Sequence, residues 1–176
     1  MGRGLMLTGS VRRLDNLNSS RLGGCTVRAD DLHGYMASFK AEHRAQFSDT
    51  DAAGIVHFST MFLWVEATEE ALYRSLKLPF LKFDGNKLSG FPRVRVECDY
   101  LSPVYREELV VVTLTPKEIG DKKIAWSFKA KVGERPVAEG VLTTVYAWRE
   151  GQGAMMAALV PLEVKQTFEG FFGKTP

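Results

Sequence analysis

The sequence predicts an α+β fold in which a curved antiparallel sheet packs around one central helix. Three observations predict it. One long segment with an apolar stripe runs from about residue 59 to about residue 77. Four long segments rich in Val, Thr and aromatic residues follow it in series. The connectors between the later segments are short and polar, as antiparallel neighbours require.

Taken in order, residues 38–47 (SFKAEHRAQF) alternate loosely and predict a strand. Residues 48–58 (SDTDAAGIVHF) predict a loop built around Gly54. Ser59 or Thr60 is the expected N-cap of a helix reaching about Lys77. In that helix Met61, Trp64, Val65, Thr68, Ala71, Leu72 and Leu76 share one stripe. Glu66, Glu69, Glu70, Tyr73, Arg74 and Lys77 are expected largely on the other faces. Residues 92–101, 107–116, 123–132 and 136–148 predict the strands that cover this helix. Ile119-Gly120-Asp121 and Gly133-Glu134-Arg135 predict tight connectors. Residues 149–158 read as loop, and 161–172 as a short terminal helix begun by Pro161.

The 176 residues suit one domain, residues 35–176, preceded by a disordered or dispensable extension, residues 1–34. That extension is rich in Gly, Arg, Asn and Ser and has neither helical nor strand periodicity. It also holds the whole excess of positive charge, five Arg against three Asp, so the body is neutral. A neutral body argues against nucleic acid as a partner. No apolar run approaches the roughly 20 residues of a membrane span, so no membrane partner is expected. The two cysteines, Cys25 and Cys98, are far apart and form no metal-ligand cluster. Neither a disulfide framework nor a zinc site is predicted, and a cytoplasmic protein is expected.

The chemistry concentrates in Asp49-Thr50-Asp51-Ala52-Ala53-Gly54-Ile55-Val56-His57-Phe58. Two carboxylates, a glycine and an imidazole stand between a strand and a helix start. The helix opening offers unpaired N–H groups and the positive end of its dipole, which would polarise a carbonyl oxygen placed there. Asp51 approaches the same carbon if Gly54 folds the loop back. An EF-hand would need an oxygen ligand at Ala53 and a bidentate Glu at Thr60, so no metal site is predicted here. GxSxG, HExxH and glycine-rich phosphate motifs are absent.

DTDAAGIVHF followed by Trp64 and Glu66 resembles the signature of the 4-hydroxybenzoyl-CoA thioesterase family of hotdog proteins. The segment Phe47–Phe58 is most similar to the 1,4-dihydroxy-2-naphthoyl-CoA thioesterases within that family. The resemblance spans about residues 38–150, including Val96-Glu97-Cys98-Asp99-Tyr100-Leu101-Ser102-Pro103. It implies hydrolysis of an acyl-CoA substrate, no cofactor, and a homodimer or homotetramer with sites at the subunit interface. It places the catalytic aspartate on Asp51, the oxyanion donor on the Phe58 backbone N–H, and the glycine on Gly54. Where many relatives have an aromatic ten residues past the aspartate, this chain has Met61.

Each assignment has a plainer counterpart. Asp51 also fits a turn carboxylate capping the Ala53 or Gly54 N–H. Asp49 is expected to be structural. His57 is either a general base or a pocket or surface histidine. Glu66 is the reserve carboxylate, with a polar-face role as its counterpart. Arg93, Arg95, Arg106, Lys122 and Lys123 would attract CoA phosphates or be simply solvated. The alternative function is a non-catalytic acyl-CoA sensor of the same fold.

Overall fold

The computed structural model describes residues 37–173. The extension expected over residues 1–34 lies outside the described residues. The chain opens with strand β1 (Phe39–Arg44), then one turn of 3-10 helix at Phe47–Asp49, and then helix α1 (Phe58–Ser75). Strands β2 (Leu81–Asp84), β3 (Lys87–Gly90), β4 (Arg93–Tyr100), β5 (Leu109–Ile119), β6 (Lys123–Val132) and β7 (Arg135–Val145) follow. Strands β8 (Ala147–Glu150) and β9 (Met156–Ala157) and helix α2 (Leu162–Phe172) complete it.

All strand pairs are antiparallel, in two sheets of order β1-β5-β6-β7-β4 and β2-β3-β8-β9. β7 runs almost directly into β8, so the two sheets follow one another along one strand direction. Inward residues of β5 and β6, among them Val110, Val112, Leu114, Ile124, Trp126 and Phe128, pack with Val65 and Leu72 of α1 in one core. The fold is the hotdog expected from the sequence: a sheet wrapped around one long helix.

Several expectations are corrected. The strand read over 38–47 ends at Arg44, because Phe47 enters the 3-10 turn. The segment 136–148 is broken at Tyr146, whose N–H bonds Lys122 rather than a strand partner. Hairpin β2–β3 was not anticipated; its strands have four residues each and hinge on Gly85, φ +57. The stretch 149–158 contains the end of β8 and all of β9. Pro161 caps α2 rather than starting it.

Helix α1 differs most from expectation. Its N-cap is His57 rather than Ser59 or Thr60, with the ring Nδ1 accepting the Ser59 N–H at 3.3 Å. It ends in a Schellman turn: the Lys77 N–H bonds Arg74 and the Leu78 N–H bonds Tyr73, with Lys77 at φ 57. The apolar stripe is buried from Met61 to Leu72 and partly buried at Leu76, yet Glu69 and Tyr73 are also fully buried. The sheet and α2 meet the helix on more than one side, so Glu69 and Tyr73 are covered while Ala67, Arg74 and Ser75 keep a solvent face. Trp126 and Arg93 satisfy Glu69, and Phe80, Phe91 and Phe168 pack around Tyr73.

Candidate active site

The loop before α1 folds back on itself. The Asp51 N–H donates to the Ile55 carbonyl at 2.9 Å, and the Gly54 N–H returns to the Asp51 carbonyl at 3.0 Å. Thr50 and Val56 face each other in a one-rung antiparallel bridge. Gly54 closes this turn at φ +75, the left-handed region, with nothing within 4 Å of where a Cβ would sit. Glycine is needed there for its backbone, not for space.

Two further ties hold the turn. The Val56 N–H bonds the Val104 carbonyl at 2.8 Å, and Ile55 bridges Tyr105. The segment it leans on is fixed in turn by Glu108, whose carboxylate takes the Tyr105 N–H at 2.9 Å and two contacts from Arg135 at 2.7 Å. Both contacts come from Nη2, while Nη1 bonds the Ser102 hydroxyl and the Pro103 carbonyl, so Arg135 ties this segment together at several points.

Asp51 is exposed, and its Oδ1 accepts the Ala53 N–H at 2.8 Å. Its second oxygen has no hydrogen-bond partner among the described residues. Asp49 is committed on both sides: its carboxylate takes the Gln46 N–H at 2.8 Å and its carbonyl takes the His57 N–H at 2.8 Å.

At the opening of α1 the amides divide their tasks. His57 Nδ1 takes the Ser59 N–H and lies 2.8 Å from Ser59 Oγ, so the neutral ring carries its proton on Nε2. The Thr60 N–H bonds the His57 carbonyl at 3.0 Å. The Phe58 N–H has no acceptor among the described residues. The Phe58 carbonyl is held by the Tyr100 hydroxyl at 2.7 Å, which ties β4 to the first helical turn. Burial pushes the Tyr100 phenol up from its ordinary value, so it stays a donor.

The structure thus gathers Asp51, Gly54, His57 and Phe58 at one end of α1. Glu66 lies elsewhere. It sits eight positions beyond Phe58, about 12 Å along the helix axis. There Glu66 and Arg93 pair at 3.1 Å, and Arg93 also bonds the buried Glu69 at 2.9 Å. They lie at a pocket of about 250 Å³ between α1 and the face of the second sheet, lined also by Phe80, Leu81, Phe91 and Met155. Sequence reasoning did not find Tyr100, Arg135 or Glu108. The only signal for them was long-range pairing, which one sequence does not display.

The remaining candidate bases are mostly spoken for. Arg93 is held by two glutamates, Arg95 pairs with Glu97, Arg106 with Glu107 and Lys123 with Glu118. His43 is half-buried: its Nε2 lies 2.8 Å from Thr68 Oγ1, whose hydroxyl itself donates to the Trp64 carbonyl, and burial lowers its pKa to about 4. Among the described residues no group of three His, Cys, Asp or Glu side chains is placed to hold a metal ion.

The turn that carries Asp51 leads directly into the opening of a sheet-wrapped helix. Residues 53–139 match the model of the thioesterase superfamily. That match takes in Gly54 and Phe58 and begins just after Asp51. The chain is 32% identical over 105 residues to a 1,4-dihydroxy-2-naphthoyl-CoA hydrolase of Nostoc punctiforme, covering 59% of this chain and 70% of that protein. It is 33% identical over 102 residues to a hydrolase of the same description from Synechococcus, covering 54% of this chain and 76% of that one.

Among solved structures, the 1,4-dihydroxy-2-naphthoyl-CoA thioesterase from Synechocystis is similar with a TM-score of 0.64 at 17% identity, covering 74% of this chain and 95% of that one. The 4-hydroxybenzoyl-CoA thioesterase from Pseudomonas gives 0.63 at 19% identity, covering 74% and 98%. Those two likenesses show the fold. The chain belongs to the thioesterase superfamily. It is a hotdog thioester hydrolase.

Proposed function

We propose that this chain hydrolyses the thioester of an aroyl-CoA to the free acid and coenzyme A, with Asp51 as catalytic carboxylate and the Phe58 N–H as oxyanion donor. One observation carries the assignment of residues. The turn that presents Asp51 is bonded to the same segment that opens α1, where the Phe58 N–H has no other acceptor among the described residues.

Asp51 supplies the attack on the thioester carbon, either directly or by taking a proton from water. In both routes negative charge collects on the carbonyl oxygen, beside the Phe58 N–H and the positive end of the helix dipole. Gly54 sets the turn, and His57 holds the helix opening by capping it. Expulsion of the thiolate then gives the free acid, directly or after hydrolysis of an acyl-Asp51 intermediate. The pocket along α1 takes the acyl group; its Phe80 and Phe91 suit a flat aromatic moiety.

The oligomer belongs to this proposal. Among the described residues β4 pairs only with β7, and its Val94, Val96 and Tyr100 are exposed, as are Phe58 and Leu63 of α1. A free apolar strand edge beside the site is suited to a second copy, giving a dimer or a pair of dimers. We place the enzyme in the cytoplasm, a proposal supported by the free thiol of Cys98. Among the described residues no helix is long and apolar enough to cross a membrane. Residues 35–176 form the proposed domain, with 1–34 as its extension.

Asp51→Asn tests the chemistry without removing the turn, since an Asn oxygen still accepts the Ala53 N–H. Thiol release from a panel of aroyl-CoA esters should fall by on the order of 100-fold or more, with the melting temperature little changed. Near-wild-type turnover in that variant would show that Asp51 only caps the turn. Wild-type protein that binds these esters but releases no thiol would instead be the sensor.

A further inference from the structure

The pocket along α1 has a polar end that the hydrolytic step does not use. Arg93 reaches it from β4 with its guanidinium shared between Glu66, 41% exposed, and Glu69, 0% exposed. Glu69 lies behind Arg93, away from the pocket lining, and also accepts the Trp126 indole N–H at 3.1 Å. The titratable and charged groups facing Glu69 are Arg93 from β4 and Glu66, Glu70 and Tyr73 from its own helix. β6 contributes Trp126, and α2 lays Phe168 against Trp126 and Tyr73. Two buried atoms here, Arg93 Nε and the Tyr73 hydroxyl, have no hydrogen-bond partner among the described residues. Arg93 is therefore held by its two carboxylates and by the Phe80 ring, whose centroid lies 5.3 Å from the guanidinium carbon.

We propose that Glu69 is a positioning and specificity-determining residue: through Arg93 it sets the charge at the end of the acyl pocket, so that the enzyme accepts neutral acyl groups and rejects those ending in a carboxylate. This rests on the assignment of the pocket as the acyl site. The charge count gives the direction. Glu70 lines the same pocket, so one guanidinium faces three glutamates: the end carries one formal negative charge while Glu69 holds a proton and two once Glu69 ionises. Burial favours the protonated form and raises its pKa from 4.5 to about 7. A second carboxylate on the acyl group then meets repulsion that grows as pH rises through neutrality. Glu66 stays fixed by Arg93 in both states.

The test compares two non-hydrolysable thioethers, S-phenacyl-CoA and S-(4-carboxyphenacyl)-CoA, by titration calorimetry at about pH 5.5 and about pH 8.5. Their CoA portions titrate alike, so the ratio of dissociation constants isolates the acyl end. In wild type the ratio should favour the neutral ligand and widen by on the order of tenfold at the higher pH. In Glu69→Gln it should not change with pH. In Glu66→Gln, which alters only the half-exposed partner, it should be smaller at both values yet keep its pH dependence. A wild-type ratio that stays flat overturns the proposal whether or not Glu69→Gln folds, and so does failure of the neutral ligand to bind. Thiol release from benzoyl-CoA by wild type is scored separately. Its absence would overturn the hydrolase reading while leaving the binding ratio to decide the pocket.

Discussion

A carboxyl group in the middle of a helix packed on several sides costs several kcal/mol unless it is partnered or neutral. Glu69 has both remedies. Arg93 and the Trp126 indole supply partners, and burial raises its pKa to about 7 against their pull. A carboxyl group whose folded pKa lies above its unfolded one binds its proton more tightly in the native state. Its stabilising contribution is thus fully present below 4.5 and is lost as pH rises through about 7. The melting temperature should therefore fall between about pH 5 and about pH 8, and Glu69→Gln should flatten that slope. An unchanged slope in the variant would assign the effect to another group. The helical period of α1 could not announce any of this. Glu66, Glu69 and Glu70 look alike in a sequence, and only the arrival of β4 and β6 separates a buried carboxylate from a solvated one. Asp51 was legible because its neighbours form a compact local signature. Tyr100 was not, because the carbonyl it holds is forty-two residues away.

Among the elements, the turn from Asp51 to Ile55 shows how a local rule serves a distant one. Gly54 has open space around it but a backbone that other residues enter at a cost of about 1–2 kcal/mol. Gly54→Ala should lower the melting temperature by about 3–6 °C. It should also slow thiol release by more than that loss explains, since Asp51 would shift with the turn. A melt run beside a rate assay separates the two effects. The long strands and α1 were readable because their periods extend over many residues. β6 was placed at its observed limits, whereas the hairpin β2–β3 escaped. Strands of four residues around Asp84-Gly85-Asn86-Lys87 carry too little alternation to stand apart from a loop. The cap of α1 escaped for a different reason. Imidazole is an uncommon capping group, and Ser59, one of the two expected caps, is instead the residue being capped.

At the level of the whole molecule, the chain has a well-filled interior on one flank of its sheet and an unfinished margin at the other. β1, β5, β6 and β7 cover α1 closely, but β4 leaves Val94 and Val96 open. Placing a charge there tests the proposed assembly. Val96→Lys should shift the molecular mass measured by light scattering toward that of one chain and abolish most thiol release. Asp51→Asn should abolish release without altering the mass. A Val96→Lys protein that keeps both its mass and its turnover would move the interface to another face. The neutral charge of residues 35–176 was visible in composition. The position of the seam was not, since exposure of β4 depends on where α1 stops covering it.

The bond from the Tyr100 hydroxyl to the Phe58 carbonyl joins this margin to the peptide that flanks the proposed oxyanion donor. One end of the tether belongs to the outermost strand, the other to the first helical turn. Losing a neighbour from β4 would slacken the strand, and the slack would pass along the tether to the amide that must stay aimed. Activity per chain should then decline on dilution well before the helix itself unravels, so that working strength becomes a function of how crowded the molecule is with its own kind.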